Sequence, residues 1–201
     1  MLTISAIATL IFAAAAVVAQ LPPIPVGELI NIKDFQGNVF DLADRSTQNF
    51  APVQTLNRKP GEGAQGWTIQ KSPTGNGFII QNPFTTISNT GVLAGLDHKG
   101  VQICGNGGGA PPTVWNIIPN ASGAGYNILE ASSNLSVTSW QALTSPIVTP
   151  SAPLTLQLFD PKVPQQIFNF PLCEPVFITC EFLCPQNNQQ LLFNAATRAV
   201  F

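Results

Sequence analysis

The chain has 201 residues, 8 basic and 10 acidic side chains and a formal net charge of -2, a length that suits one domain with or without a tail. Only 9% of residues are charged, which excludes the clustered Lys and Arg of a nucleic-acid surface, a polybasic membrane patch and an acidic tail. Apolar content is too high for a disordered chain, and a single histidine, His98, excludes a His-rich metal site or a mechanism with two imidazoles.

Residues 1–19 hold 16 apolar residues of 19, and no charge appears before Glu28. Val17 and Ala19 place small residues three and one positions before a cleavage point, with Gln20 as the new N-terminus. This is the pattern of a secretory signal peptide. A run of ~18 apolar residues also just spans a bilayer. The Ala-Val-Val-Ala ending followed by Pro22-Pro23 favours cleavage over an anchor. The expectation is a secreted, extracellular protein with no membrane partner.

Beyond the leader, short strand candidates recur. Leu29-Ile-Asn-Ile-Lys33, Phe78-Ile-Ile-Gln-Asn82 and Tyr126-Asn-Ile-Leu-Glu130 start three units at steps of 49 and 48 residues. The units end on Gln65-Gly-Trp67, Thr113-Val-Trp115 and Gln166-Ile-Phe168, with steps of 48 and 53 between the aromatics. Two strand candidates lie inside each unit. The first set is Asn38–Leu42, Gly91–Gly95 and Asn134–Val137; the second is Pro52–Leu56, Gly100–Cys104 and Leu154–Leu158. Gln54, Gln102 and Gln157 recur at one register of the second set. Gly, Pro, Asn and Ser separate the strands, and no stretch before residue 170 shows sustained helical periodicity. Units this small cannot bury an apolar face alone, so the three must share one core. Closing them around a threefold axis would remove exposed sheet edges.

Four cysteines, Cys104, Cys173, Cys180 and Cys184, in an oxidising compartment predict two disulfides, with three connectivities open. Full pairing would tie Cys104 to a tail cysteine. The spacing lacks a metal-ligand pattern, so no metal is expected. Asn120-Ala-Ser122 and Asn134-Leu-Ser136 are glycosylation sequons. The Gly105–Gly109 run lacks the Lys-Ser/Thr pair of a phosphate loop and reads as a hairpin loop. His98 sits between Asp97 and Lys99 in a turn-like segment with no nucleophile beside it. The tail, 171–201, stands outside the repeats. Its cysteines staple its first half, and Leu191, Leu192 and Ala195 carry a weak helical pattern.

Three units of about 48 residues, each closing on an aromatic in a Q-x-W-like context, resemble the ricin B-type lectins. The resemblance covers about 28–170 and implies an all-β fold. That fold is a β-trefoil of three four-stranded repeats (about 28–70, 77–119 and 125–170), with the disulfide-stapled tail appended. It also implies a non-catalytic protein, with no cofactor, that binds glycans of the galactose or N-acetylgalactosamine type. In that family an Asp after the first hairpin turn accepts sugar hydroxyls, an aromatic on the next strand stacks on the ring, and an Asn–Gln pair completes the site. A sugar needs these groups because its edge carries hydroxyls and its face carries C–H groups.

Carried over residue by residue, no repeat is complete. In the first, Asp41, Gln54 and Gln65 match, but Leu56 replaces the aromatic and Ala64 the Asn. In the second, Ala94 and Cys104 replace Asp and aromatic. In the third, Ser136 replaces the Asp while Gln157 and Phe159 are kept. The expected binding residues are therefore Asp41, Gln54, Gln65, Gln157 and Phe159. Asp41 has two readings, a sugar acceptor or a turn residue bonding its own backbone. The repeated glutamines could equally satisfy buried backbone groups. Trp140, amid polar residues, reads as an exposed platform or as a lid on the barrel. Asp41 and Asp44 are close in sequence, but nothing marks them as a glycosidase pair. Two other functions stay open: a protease inhibitor acting through the loops 57–63 and 105–112, or an interaction trefoil whose sugar sites are lost.

Overall fold

A computed structural model describes residues 21–93, 100–107, 111–141 and 151–173. The leader, His98, the distal tail with Cys180 and Cys184, and the 191–195 pattern lie outside the described residues. Eleven strands occur: β1 (Leu29–Ile30), β2 (Val39–Leu42), β3 (Val53–Leu56), β4 (Trp67–Lys71), β5 (Phe78–Gln81), β6 (Thr86–Leu93), β7 (Val101–Asn106), β8 (Trp115–Pro119), β9 (Tyr126–Glu130), β10 (Ser136–Ser139) and β11 (Ser151–Gln157). The segment around Phe168 joins by bridges, Tyr126 to Phe168, Lys33 to Asn169 and Ile30 to Leu172. Helix among the described residues is limited to three single 3-10 turns.

The strands form two interlocked assemblies. Antiparallel pairs β1–β4, β4–β5, β5–β8 and β8–β9, with the Phe168 bridges back to β1, close a six-membered barrel. The hairpins β2–β3, β6–β7 and β10–β11 meet one another through β3–β11, β7–β11 and the Pro52–Cys104 bridge. This is a β-trefoil: a closed barrel capped by a triangle of hairpins, so the barrel has no open edge to template aggregation.

Sequence dictates this closure through alternation. Ile30, Ile32, Phe40, Ile69, Ile80, Ile87, Ile103, Ile128, Val137 and Leu154 are all fully buried in one cluster. Trp67, Trp115 and Phe168 are also 0% exposed, which places the three repeat-ending aromatics in the core. Phe168 packs edge-on to Phe40, ring centroids 5.3 Å apart. Two glycines make the barrel possible. Gly77 and Gly125 have φ of 77° and 152° and immediately precede β5 and β9. A Cβ there would sit 2.7 Å from the Trp115 carbonyl oxygen and 2.5 Å from that of Phe168. Only Gly permits so close an approach in this conformation.

One expectation is corrected here. The inner strand of the second repeat runs over Thr86–Leu93 rather than 91–95, because Ser88 pairs with Cys104 and Ile87 with Gly105. Of the four cysteines two are described, and they are not bonded to each other; Cys180 and Cys184, the other expected partners, lie outside the described residues. Cys104 is buried in β7 and Cys173 is half-buried. As thiols, both have their pKa pushed up by burial.

Candidate functional site

The internal symmetry fixes which residues are equivalent. Trp67 Nε1 donates to the Phe40 carbonyl at 3.0 Å, and Trp115 Nε1 to that of Ile87 at 3.4 Å. Phe40 and Ile87 therefore correspond, and the residues after them, Asp41 and Ser88, occupy the same outward position. In the third repeat that position is Thr138, whose Oγ1 accepts from Gln166 Nε2 at 3.2 Å. Cross-strand partners complete three matching pairs: Asp41 with Gln54, Ser88 with Cys104, and Thr138 with Thr155.

In the first repeat three of the expected residues come together. Asp41 is 7% exposed and its carboxylate accepts from the side chains of Gln65 and Gln54. Burial raises its pKa above 3.8; the two amides and the Lys59 charge pull it back, while Glu62 pushes it further up. Leu56, where a platform is wanted, is half-buried. The rim carries an ion pair, Arg45 Nε to Glu62 Oε1 at 2.5 Å, which lowers the Glu62 pKa. Asp44 and Arg45 lie at φ of 56° and 51°, a left-handed conformation that is uncommon outside Gly.

Gln65 has a further task. It is 1% exposed, its Oε1 accepts from Lys59 N at 2.7 Å and its Nε2 donates to the Asn57 carbonyl at 3.1 Å. Gln166 repeats this with Asp160 N at 2.9 Å and the Leu158 carbonyl at 2.9 Å. Both glutamines pin a loop by its backbone at the same offsets, six and eight residues back. Gln65 thus supports Asp41 from beneath rather than facing solvent.

The third repeat differs from its sequence reading. Ser136, aligned with the acid, is fully buried and donates to the Val137 carbonyl. Thr138 holds the equivalent place. Thr155 Oγ1 accepts from Trp140 Nε1 at 2.8 Å and from Gln157 Nε2 at 3.0 Å. Trp140 and Phe159 are half-buried. The three glutamines do not share a register: Gln54 faces Asp41, Gln102 pairs with Thr155 across β7–β11, and Gln157 pairs with Ser136. In the second repeat Ser88 and Cys104, 3.8 Å apart, stand where the acid and its amide partner do. Ala94 lies outside the described residues.

The two sequons also separate. Asn120 is 3% exposed, and its Nδ2, the atom a glycan would occupy, donates to Asn127 Oδ1 at 2.9 Å and the Pro161 carbonyl at 2.8 Å. The acceptor nitrogen of Asn120 is therefore committed inside the fold. Asn134 is exposed in a turn at φ 58°.

Two hollows lie in the second repeat. One, of about 490 Å³, is lined by residues including Gln81, Asn82, Phe84, Thr86 and Asn106. The other, of about 150 Å³, is lined by residues including Phe50, Ser88, Asn106 and Thr113. No group of three His, Cys, Asp or Glu among the described residues is placed to hold a metal. No helix among them is long and apolar enough to cross a membrane.

No family model and no curated protein sequence matches this chain. Solved structures do. The Rhizoctonia solani agglutinin superposes with a TM-score of 0.56 at 17% identity, over 75% of this chain and 99% of that one. The Macrolepiota procera ricin B-like lectin, solved with lactose, gives 0.56 at 16% identity over 75% and 99%. ThreeFoil, a designed threefold-symmetric protein, gives 0.52 at 13% identity over 71% and 97%. The likeness shows the fold, a β-trefoil.

Proposed function

We propose that this protein is a secreted, non-catalytic lectin that binds a neutral glycan of galactose or N-acetylgalactosamine type at the first repeat. The observation that supports this reading most is the Asp41 cluster. Of the three equivalent positions only this one carries an acid, and Gln54 and Gln65 fix its orientation. A carboxylate held by amides on one side can accept sugar hydroxyls on the other. Gln54 is half-buried beside it and offers a second polar contact. The weak point is the platform: Leu56 presents less flat apolar surface than an indole. Affinity near the millimolar range is expected, useful mainly through several copies acting together.

The third repeat is the competing location, since Phe159 and Trp140 supply aromatic surface there. Its acceptor, however, is a threonine whose Oγ1 already accepts from Gln166. Titration of galactose and N-acetylgalactosamine ligands against wild type, Asp41→Ala and Phe159→Ala decides between them. Hydrogen bonds to a charged group are worth ~1.5–3 kcal/mol, so Asp41→Ala should weaken binding about 10- to 150-fold. Loss with Phe159→Ala alone would move the site to the third repeat. If no glycan binds, the inhibitor and interaction readings replace the lectin reading.

A further inference from the structure

We propose that the loop 57–62 is an inhibitory loop for a trypsin-like serine protease, one whose primary pocket carries a carboxylate, and that Arg58 is the residue that fills this pocket. The activity is separate from glycan binding and does not rest on the lectin reading. The loop joins β3 to the 3-10 turn Gly63–Gln65, and Asn57, Arg58, Lys59, Pro60 and Gly61 are all exposed. A flexible exposed loop with a basic residue is a protease substrate. A rigid one, whose ends stay in place after attack, is an inhibitor, because its bound conformation is already formed.

This loop is rigid on both sides of Arg58. One buried side chain, Gln65, 1% exposed, holds the two peptide groups that flank it. Gln65 Nε2 donates to the Asn57 carbonyl at 3.1 Å, and Oε1 accepts from Lys59 N at 2.7 Å. Downstream, Glu62 N donates to the Lys59 carbonyl at 3.2 Å. Pro60 and Gly61, the latter at φ 74°, are the central residues of that turn, which is the composition of type II. Glu62 is held in its place by Arg45. The third repeat shows what the clamp alone does not provide. Gln166 holds the Leu158 carbonyl and Asp160 N in the same way, but the residue between them, Phe159, is half-buried and uncharged. The clamp is common to both repeats, and the cation it displays belongs to the first. In the complex the protease serine Oγ adds to the Arg58 carbonyl carbon and passes its proton to the protease histidine. Collapse breaks the C–N bond to Lys59, and the proton goes to the Lys59 nitrogen. Gln65 Oε1 and the 59–62 turn keep that amine in place, while Nε2 keeps the acyl side in place through Asn57. The amine then re-adds to the acyl carbon, the serine leaves with its proton, and the Arg58–Lys59 bond is restored in preference to attack by water.

The test measures inhibition of trypsin and of chymotrypsin, each on a small chromogenic substrate, by wild type, Arg58→Ala, Arg58→Phe and Gln65→Ala. Wild type should inhibit trypsin and stay intact. Arg58→Ala should weaken inhibition about 100-fold or more, because it takes the cation out of the primary pocket. Arg58→Phe should transfer inhibition to chymotrypsin. Gln65→Ala should turn the loop into a substrate, cut between Arg58 and Lys59 about 10-fold faster or more than wild type, as read by mass spectrometry. No inhibition of trypsin by wild type, equal inhibition by Arg58→Ala, or cutting of wild type as fast as Gln65→Ala each overturns the proposal. Arg58 is exposed, so Arg58→Ala decides the matter if Gln65→Ala impairs folding. The assay uses no sugar, so its failure leaves the lectin reading intact.

Discussion

Asp41 serves two opposed demands. Stability favours its neutral form, because burial raises its pKa above 3.8, and sugar binding favours the carboxylate. A folded-state pKa above the unfolded one means that the group's contribution to stability is present below the unfolded pKa and is lost as pH rises through the folded value. At neutral pH the ionised, half-desolvated carboxylate therefore works against folding. Asp41→Asn should melt at a higher temperature than wild type at pH 7, with the difference closing as pH falls below about 4. Melting curves of both proteins between pH 3 and 7 measure this; a difference that grows toward acid would contradict it. Glycan affinity of the wild type should fall over the same acid range, since a protonated carboxyl loses acceptor capacity. The identity of Asp41 was legible in the sequence and its burial was not. The same holds for Asn120, whose sequon is a local triplet while its committed Nδ2 is a product of tertiary packing.

Among the elements, the hairpins explain where sequence reading slipped. The turns closed by Lys33–Val39, Gln81–Thr86 and Leu129–Ser136 enclose five, four and six residues. Counting forward by a fixed repeat then misplaces the following strand by a residue or two, and one residue in a strand flips every side chain to the other face. That is why Ser136 rather than Thr138 was aligned with Asp41, and why Gln54, Gln102 and Gln157 looked equivalent. The repeat-ending aromatics were legible although the last step is 53 rather than 48, because each is a large ring in an apolar stretch that closes its unit in the core. Besides its bond to Asp41, Gln65 forms a loop clamp shared with Gln166, for which paired contacts to backbone six and eight residues upstream are the signature. Gln166→Ala should cost about 1–2 kcal/mol, because the freed loop groups are near water and are partly rehydrated. Amide hydrogen exchange at Asp160 should accelerate, and in Gln65→Ala that at Lys59 should do so. Unchanged protection at both amides would mean that the loops hold themselves.

For the molecule as a whole, symmetry is approximate in sequence and closest in the core. Polar positions diverge freely, Asp41, Ser88 and Thr138 being one example and Asp34, Asn82 and Glu130 in the strand-ending turns another. The core positions Ile32, Ile80 and Ile128 are identical at steps of 48, and all three are 0% exposed. The threefold fold was legible for this reason: only shared burial forces three short apolar units to agree in spacing. Functional asymmetry was not legible, since it arises from which polar residues the fold brings to equivalent places, as Asp41 beside Gln54, Ser88 beside Cys104 and Thr138 beside Thr155. A shared core also has a thermodynamic consequence. Trp67, Trp115 and Phe168 come from different repeats yet lie in one cluster, so no repeat can unfold while the others keep their packing. Calorimetry should show one transition with equal calorimetric and van't Hoff enthalpies. Trp67→Ala should remove about 3–5 kcal/mol, which for a domain of this size lowers the melting temperature by about 6–20 °C. Phe168→Ala, at the other end of the chain, should lower the same single transition by a comparable amount. A second transition appearing in either variant, with the first left at the wild-type temperature, would show that the repeats hold separate cores and would break the argument for obligate closure.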